Sequence, residues 1–407
     1  MARSLLLSNA RIVLFDRIIE RGWLLVEAGR IACVSADKPA GITVGVPESD
    51  LAGITLFPGF IDVHIHGAVG VDMMEATAGD LLRVSQYLAS QGVTGWLPTL
   101  VPASAAQYSS AVKVIEDRLS EQDLANAHCP DSGAGAQHGS GDNSARVLGL
   151  HYEGPFVNDA QCGALHQEFF RAYSGPADIT ALPVPRPAGA ARLITVAPEI
   201  SGGIELVRAL SEQGWIVALG HTRASVELLD RAFEAGARHL THFMNAMPPL
   251  HHRSPGPVGW GLARADVTCD IVADGVHLDP FVLRLLVKVK SSERLALISD
   301  AIAATGLGDG DYQIWGETIS VEKGRTRNAH GNIAGSVITM LDAVRMMLSL
   351  GVSEVEVAHM AATNPALLLR LDHDCGSIAE AKRADLVGLD QDGKVRLTMV
   401  GGVLGSW

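Results

Sequence analysis

The sequence predicts a (β/α)8 TIM-type barrel standing beside a small β-sandwich domain built from both chain termini. Three observations carry this. Through the middle of the chain, eight short apolar runs alternate with helical patterns, as in a parallel sheet with crossover helices. Both ends instead show short period-two runs separated by turn residues. Finally, polar side chains able to do chemistry fall on the last residues of the central runs, where a parallel barrel gathers its catalytic groups.

Taken in order, the amino-terminal part has strand patterns at residues 5–10, 11–15, 23–27 and 30–35, broken at Gly29-Arg30 and by a Gly/Pro-rich stretch at 38–48. The carboxyl-terminal part has similar runs at 376–378, 385–389, 395–400 and 401–404. A small β domain from residues 1–57 and 366–407 therefore flanks a barrel at 58–365. The eight barrel strands fall at 60–65, 93–99, 147–153, 193–197, 216–220, 239–243, 267–273 and 295–300. Helical patterns at 79–91, 103–119, 203–213 and 224–235 lie between them. A doubly wound open sheet is the rival, but no G-x-G-x-x-G opens the first unit. Residues 128–144, rich in Gly, Ser and Asp, read as a mobile surface loop. Residues 183–191, with Pro183, Pro185 and Pro187, read as a rigid connector.

Composition limits the function. The 407 residues are 47% hydrophobic and 19% charged, enough for an ample core and without a disorder signature. No apolar run reaches membrane-spanning length, and the amino end lacks a signal-peptide pattern. A net charge of −13 argues against a nucleic-acid partner, although a few local cations suffice to hold a small anion. Cys33, Cys129, Cys162, Cys269 and Cys375 form no C-x-x-C pair. Neither a disulfide framework nor structural zinc is expected, and a cytoplasmic location fits.

The strand ends carry the chemistry. Strand one ends in Asp62-Val63-His64-Ile65-His66, where alternation turns His64 and His66 to one face. Strand three ends at Glu153, strand five at His221, strand six at His242 and strand eight at Asp300. His221 and His242 lie one strand–helix repeat apart, so adjacent strands set them side by side. A lone histidine is ordinarily a satisfied buried side chain. Four histidines and two acids, all on strand ends, point instead to a divalent metal. The mixed donors suit zinc first, with iron or another divalent ion as alternatives, in one or two copies. Such an ion brings the pKa of bound water to roughly 7. His128, His138, His239, His330, His359 and His373 read as structural. No lysine lies between Lys113 and Lys288, so a carboxylated lysine cannot bridge two metals here, and Glu153 is the natural acidic ligand.

Several segments occur in an order similar to that of the N-acetylglucosamine-6-phosphate deacetylases of the amidohydrolase superfamily. They are Pro58-Gly59-Phe60-Ile61-Asp62-Val63-His64-Ile65-His66-Gly67, His151-Tyr152-Glu153-Gly154-Pro155-Phe156, Gly220-His221-Thr222, Thr241-His242-Phe243-Met244-Asn245-Ala246-Met247, Asp274-Gly275-Val276-His277, Ser299-Asp300-Ala301 and Ala334-Gly335-Ser336. The H-x-H element marks only the superfamily, while E-G-P-F and H-F-x-N-A-M are more specific. The resemblance implies Glu153, His221 and His242 as metal ligands, with His64 and His66 available to a second ion. It implies Asp300 as general acid/base and His166 as the group polarising the scissile carbonyl. Leu165, Asn245, Ala246, Arg253, Asp274 and His277 would hold the phosphorylated sugar, and Ile333, Ala334 and Gly335 would line its pocket. Two features depart from the pattern: some relatives lack the paired histidines kept here, and Cys162 and an extra Leu165 alter the run before His166.

The implied reaction is hydrolysis of the acetamide of N-acetylglucosamine 6-phosphate to glucosamine 6-phosphate and acetate, by a homodimer. Deacetylation of N-acetylgalactosamine 6-phosphate or of an N-acyl-D-amino acid stands as an alternative, as does a non-catalytic sugar-phosphate sensor.

Overall fold

The computed structural model describes residues 4–39, 45–127, 143–187 and 189–405. The insert at 128–144 lies outside them except for Asn143 and Ser144, as do His128, His138, Cys129 and part of the 38–48 break.

All eight barrel strands form. In order they are Phe60–Ile65, Val93–Leu100, Gly149–Glu153 (with Arg146–Val147 just before it), Ala191–Val196, Ile216–Leu219, His239–Leu240, Thr268–Val272 and Leu295–Ile298. Each pairs in parallel with its neighbour from the first to the eighth. A parallel bridge between Ile65 and Ala301 closes the ring, with Asp300 N donating to His64 O at 2.9 Å and His66 N to Ala301 O at 2.8 Å. Most of these strands are buried along their whole length, as expected of a parallel sheet covered on both faces. The helices around the ring carry their own start signals. Thr77 makes a capping box with Asp80 at the head of Ala78–Ser90, and Ser225 caps Val226–Glu234.

Strands from both ends share one mixed sheet, ordered Val403–Gly405, Val395–Val400, Leu386–Leu389, Thr55–Pro58, Ser4–Val13, Ile18–Glu27, Arg30–Ser35, with Glu48–Asp50 added beside Ser4–Val13. One face builds its own apolar cluster around Leu7, Ile12, Leu24, Leu56, Leu386 and Met399. Phe57 and Val387 of the same sheet belong to the main barrel cluster.

Several sequence expectations need correction. The runs at 5–10 and 11–15 are one strand, kinked by register shifts at Ala10 rather than ended by a turn. Residues 376–378 form no strand, and barrel strand six is shorter than expected because the backbone turns sharply at His242. A three-stranded antiparallel sheet, Gly310–Ile314, Glu317–Glu322 and Arg325–Arg327, follows the eighth strand and had no counterpart in the sequence reading.

Candidate active site

At the carboxyl rim of the barrel, Glu153 gathers the histidines. Its Oε1 lies 2.9 Å from Nε2 of His221 and 2.9 Å from Nε2 of His242, and those two nitrogens are 3.1 Å apart. On the other side, Nε2 of His64 and of His66 are also 3.1 Å apart, with His66 3.4 Å from Glu153 Oε2. Asp300 completes the ring, its Oδ1 standing 3.4 Å from His64 Nε2 and 3.3 Å from His66 Nε2. All six side chains are buried.

The backbone makes this convergence possible. His221, His242 and Asp300 adopt φ of 47°, 30° and 52°, a left-handed conformation that costs of order 1–3 kcal/mol per non-glycine residue. Each turns its side chain off the end of a strand and back over the barrel mouth. Neighbouring carboxylates hold the strained turns. Asp270 accepts a short hydrogen bond from His242 N–H and pairs with His239 Nε2 at 2.9 Å. Glu199 accepts from Arg223 N at 2.6 Å and Thr222 Oγ1 at 2.6 Å, just after His221. Asp62 accepts from Ser299 Oγ at 2.5 Å and from the backbone N–H of Ser299 and His64. Gly335 must be glycine: at φ +58° a Cβ would stand 2.8 Å from Asp300 O.

Below the rim lies a polar floor. His151 sits between Thr99 Oγ1 at 3.2 Å and Thr195 Oγ1 at 2.9 Å, and Thr195 bonds Thr241 at 2.7 Å. Burial pushes His151 down to about 3 and holds His64 below its ordinary value, so both rings are neutral. Burial alone would raise Glu153, but the imidazoles around it, with His242 Nε2 at 2.9 Å, outweigh burial and keep the carboxyl ionised. Burial also opposes protonation of His242, yet the Glu153 carboxylate prevails and raises it to about 9.

The donor set fits a divalent cation. Nδ1 of His221 is 2.7 Å from the Gln161 carbonyl, so Nδ1 carries the hydrogen and Nε2 presents its lone pair inward. The 3.1 Å between neighbouring Nε2 atoms approaches the roughly 3.3 Å edge of a tetrahedron with metal–nitrogen bonds of about 2.0–2.1 Å. Two triads, His64–His66–Glu153 and Glu153–His221–His242, each have their ligand atoms within 4.8 Å of one another, and Glu153 belongs to both.

The cleft over these groups is also lined by Leu165, Asn245, Ala246, His277, Ile333 and Gly335. Asp274 lies behind His277, accepting from its Nδ1 at 2.7 Å, which leaves His277 Nε2 3.9 Å from Asp300 Oδ2. Ala334 is fully buried between the lining residues Ile333 and Gly335. Two expected residues stand elsewhere. His166 lines a neighbouring cavity, and Arg253 is exposed with its guanidinium 2.8 Å from His252. His239, paired with Asp270 and Thr268, is the satisfied buried histidine the sequence suggested.

Sequence reasoning missed Trp315, which lines the cleft and meets the His66 ring edge-on at 5.3 Å. The alternating pattern of residues 310–322 was the available signal. It also missed Asp62, Glu199 and Asp270, whose acidity alone did not distinguish them.

Residues 195–405 match the model of the Amidohydrolase family. Over 410 residues the chain is 34% identical to the N-acetylglucosamine-6-phosphate deacetylase of Bacillus subtilis (strain 168), covering 99% of this chain and 97% of that protein. It is 35% identical over 393 residues to the N-acetylgalactosamine-6-phosphate deacetylase of Escherichia coli O157:H7, covering 96% and 97%. Among solved structures, the N-acetylglucosamine-6-phosphate deacetylase of Pasteurella multocida superposes with a TM-score of 0.87 at 28% identity, over 99% of this chain and 100% of that one.

Proposed function

The chain belongs to the amidohydrolase family, and from that premise we propose that it hydrolyses the acetamide of N-acetylglucosamine 6-phosphate, giving glucosamine 6-phosphate and acetate. The observation that carries this reading is the convergence of Glu153, His221 and His242 on one point, with Asp300 facing it across the rim.

Glu153, His221 and His242 would hold the principal ion, with His64 and His66 placed for a second. We assign zinc to the site, on its mixed nitrogen and oxygen donors. Such an ion supplies Lewis acidity to a carbonyl and makes water acidic near neutral pH. The chain's own residues do the rest. Asp300 takes the proton of the attacking water and returns it to the nitrogen, because an amine leaves readily where an amide anion does not. His166, on the loop that sends Leu165 into the cleft, lines the neighbouring cavity, and it is the proposed donor to the carbonyl oxygen once that loop turns it toward the amide. Asp274 orients His277, whose Nε2 faces the cleft beside Asn245 and Ala246 and would bind the sugar phosphate. Leu165, Ile333, Ala334 and Gly335 would frame the sugar ring.

Arg253 is the proposed phosphate cation, acting within a homodimer in which it would reach a neighbour's cleft. Its absence from its own cleft lining supports that arrangement. So does an exposed apolar stripe on helix Pro280–Lys290, where Phe281, Leu285 and Val289 are 66%, 42% and 52% exposed. We place the enzyme in the cytoplasm, on the free thiols of Cys33, Cys162, Cys269 and Cys375. Among the described residues no helix is long and apolar enough to cross a membrane.

The 4-epimer is a second reading, favoured by the 35% identity to a relative named N-acetylgalactosamine-6-phosphate deacetylase. Acetate release from both N-acetylhexosamine 6-phosphates and from their unphosphorylated forms tests the assignment. Faster turnover of the gluco phosphate is expected. Equal turnover of an N-acyl amino acid, or no acetate from either sugar phosphate with metal-replete protein, contradicts it.

A further inference from the structure

We propose that Trp315 sets the length of the acyl group removed, by walling the acetyl end of the cleft off from a second cavity suited to longer, uncharged aliphatic chains. The inference rests on the deacetylase reading above and concerns the part of the substrate that reading leaves undescribed.

The second cavity, of about 520 Å³, opens over the carboxyl ends of barrel strands one to three. Its apolar walls come from the loops after those strands, at Met74, Val101 and Phe169, and from Ile314 and Trp315 of the added antiparallel sheet, with His166, Gln107 and Gln313 among the polar groups beside them. Asn245 and Ala246 follow strand six and His277 follows strand seven, on the opposite side of a ring of eight. The carboxylate–imidazole cluster stands between. An amide carbon over that cluster has two substituents besides its oxygen: the nitrogen bearing the sugar, and the acyl chain. A sugar held at strands six and seven therefore directs the acyl chain toward strands one to three.

Trp315 is the described residue common to the linings of both spaces, and its indole stands edge-on to His66 at 5.3 Å. It is therefore the partition an acyl chain meets first. Beyond it the apolar side chains offer burial to methylene groups. The carboxyl groups of Asp72, Glu75 and Glu168 also line the space and disfavour a chain ending in a carboxylate. The reaction is the same at any chain length: water adds to the acyl carbon, the C–N bond breaks, the amine takes a proton and the acyl group departs as its carboxylate.

The test compares kcat/KM for the N-acetyl, N-butanoyl, N-hexanoyl and N-succinyl derivatives of glucosamine 6-phosphate, on metal-replete wild type, Trp315→Ala and Trp315→Phe. Wild type is expected to favour acetyl steeply. Trp315→Ala is expected to raise the butanoyl-to-acetyl ratio by about tenfold or more, the scale at which pockets discriminate methylenes. The succinyl derivative should gain nothing, and Trp315→Phe should fall between, so it carries the test if the alanine variant does not fold. An unmoved ratio in an active variant, or wild type that processes butanoyl as well as acetyl, overturns the inference alone. Wild type inactive on both N-acetylhexosamine 6-phosphates overturns the deacetylase reading and this inference with it.

Discussion

At the level of single residues, the site depends on three side chains carried by strained backbone. His221, His242 and Asp300 all have positive φ, and each points where an ordinary strand end would not send it. Asp300 is separated from the other two by its proposed role, that of the acid that moves a proton. Asp300→Asn is expected to keep its metal and lose about 10²- to 10⁴-fold in kcat, the usual worth of a positioned acid/base, read by acetate release alongside metal analysis. Full turnover in a metal-replete variant contradicts that role. His242 makes a separate prediction about pH. Raised to about 9 in the metal-free protein, it holds a proton that the unfolded chain releases near 6.5. The pairing with Glu153 thus stabilises fully below about pH 6.5, and its contribution fades as pH rises through about 9. A metal needs the neutral ring, so ion uptake in that window should release a proton and tighten with rising pH. Calorimetry of ion binding in buffers of different ionisation enthalpy checks it, and heats independent of buffer near pH 7.5 count against it.

At the level of elements, the site is held from the strand behind. Asp270, at 1% exposure, spans the His242 backbone and the His239 ring, so its removal frees a strained turn and leaves Nε2 of the buried His239 ring without its partner. Asp270→Ala should weaken metal affinity by about 10- to 100-fold, as loss of outer supports commonly does, and blur the visible spectrum of the cobalt-substituted protein. Unchanged affinity and spectrum argue against the clamp. The proposed ligands were legible in the sequence because they end runs whose apolar period marks each strand, so Glu153 could be placed at the end of strand three and His221 and His242 at the neighbouring ends of strands five and six without coordinates. Asp270 was not, since an acid inside an apolar run reads as an interruption until its partners are seen. Trp315 escaped for another reason: its hairpin follows the eighth strand, after the barrel count is complete, and its orientation toward His66 is purely tertiary. Likewise the strand Ser4–Val13 read as two, because the kink at Ala10 resembles a turn in one dimension.

For the molecule as a whole, the terminal sheet is joined to the barrel through shared core. Phe57 lies in the terminal sheet but packs into the main cluster, 6.4 Å in ring-centroid distance from Phe60 of the first barrel strand. Arg11 of that sheet also pairs with Glu354 at 2.5 Å. Phe57→Ala is expected to cost about 3–5 kcal/mol and to lower one cooperative melting transition, not one of two. Two separated transitions in calorimetry would show the sheet and barrel to be independent. This shared packing bears on function, because the first barrel strand begins at the shared core and ends at His64 and His66. The most direct measurement for the whole scheme is anomalous diffraction from a metal-replete crystal at the absorption edge of its ion. A peak within bonding distance of Glu153, His221 and His242, with Asp300 facing it, is expected; a peak bound elsewhere, with that triad empty, contradicts it.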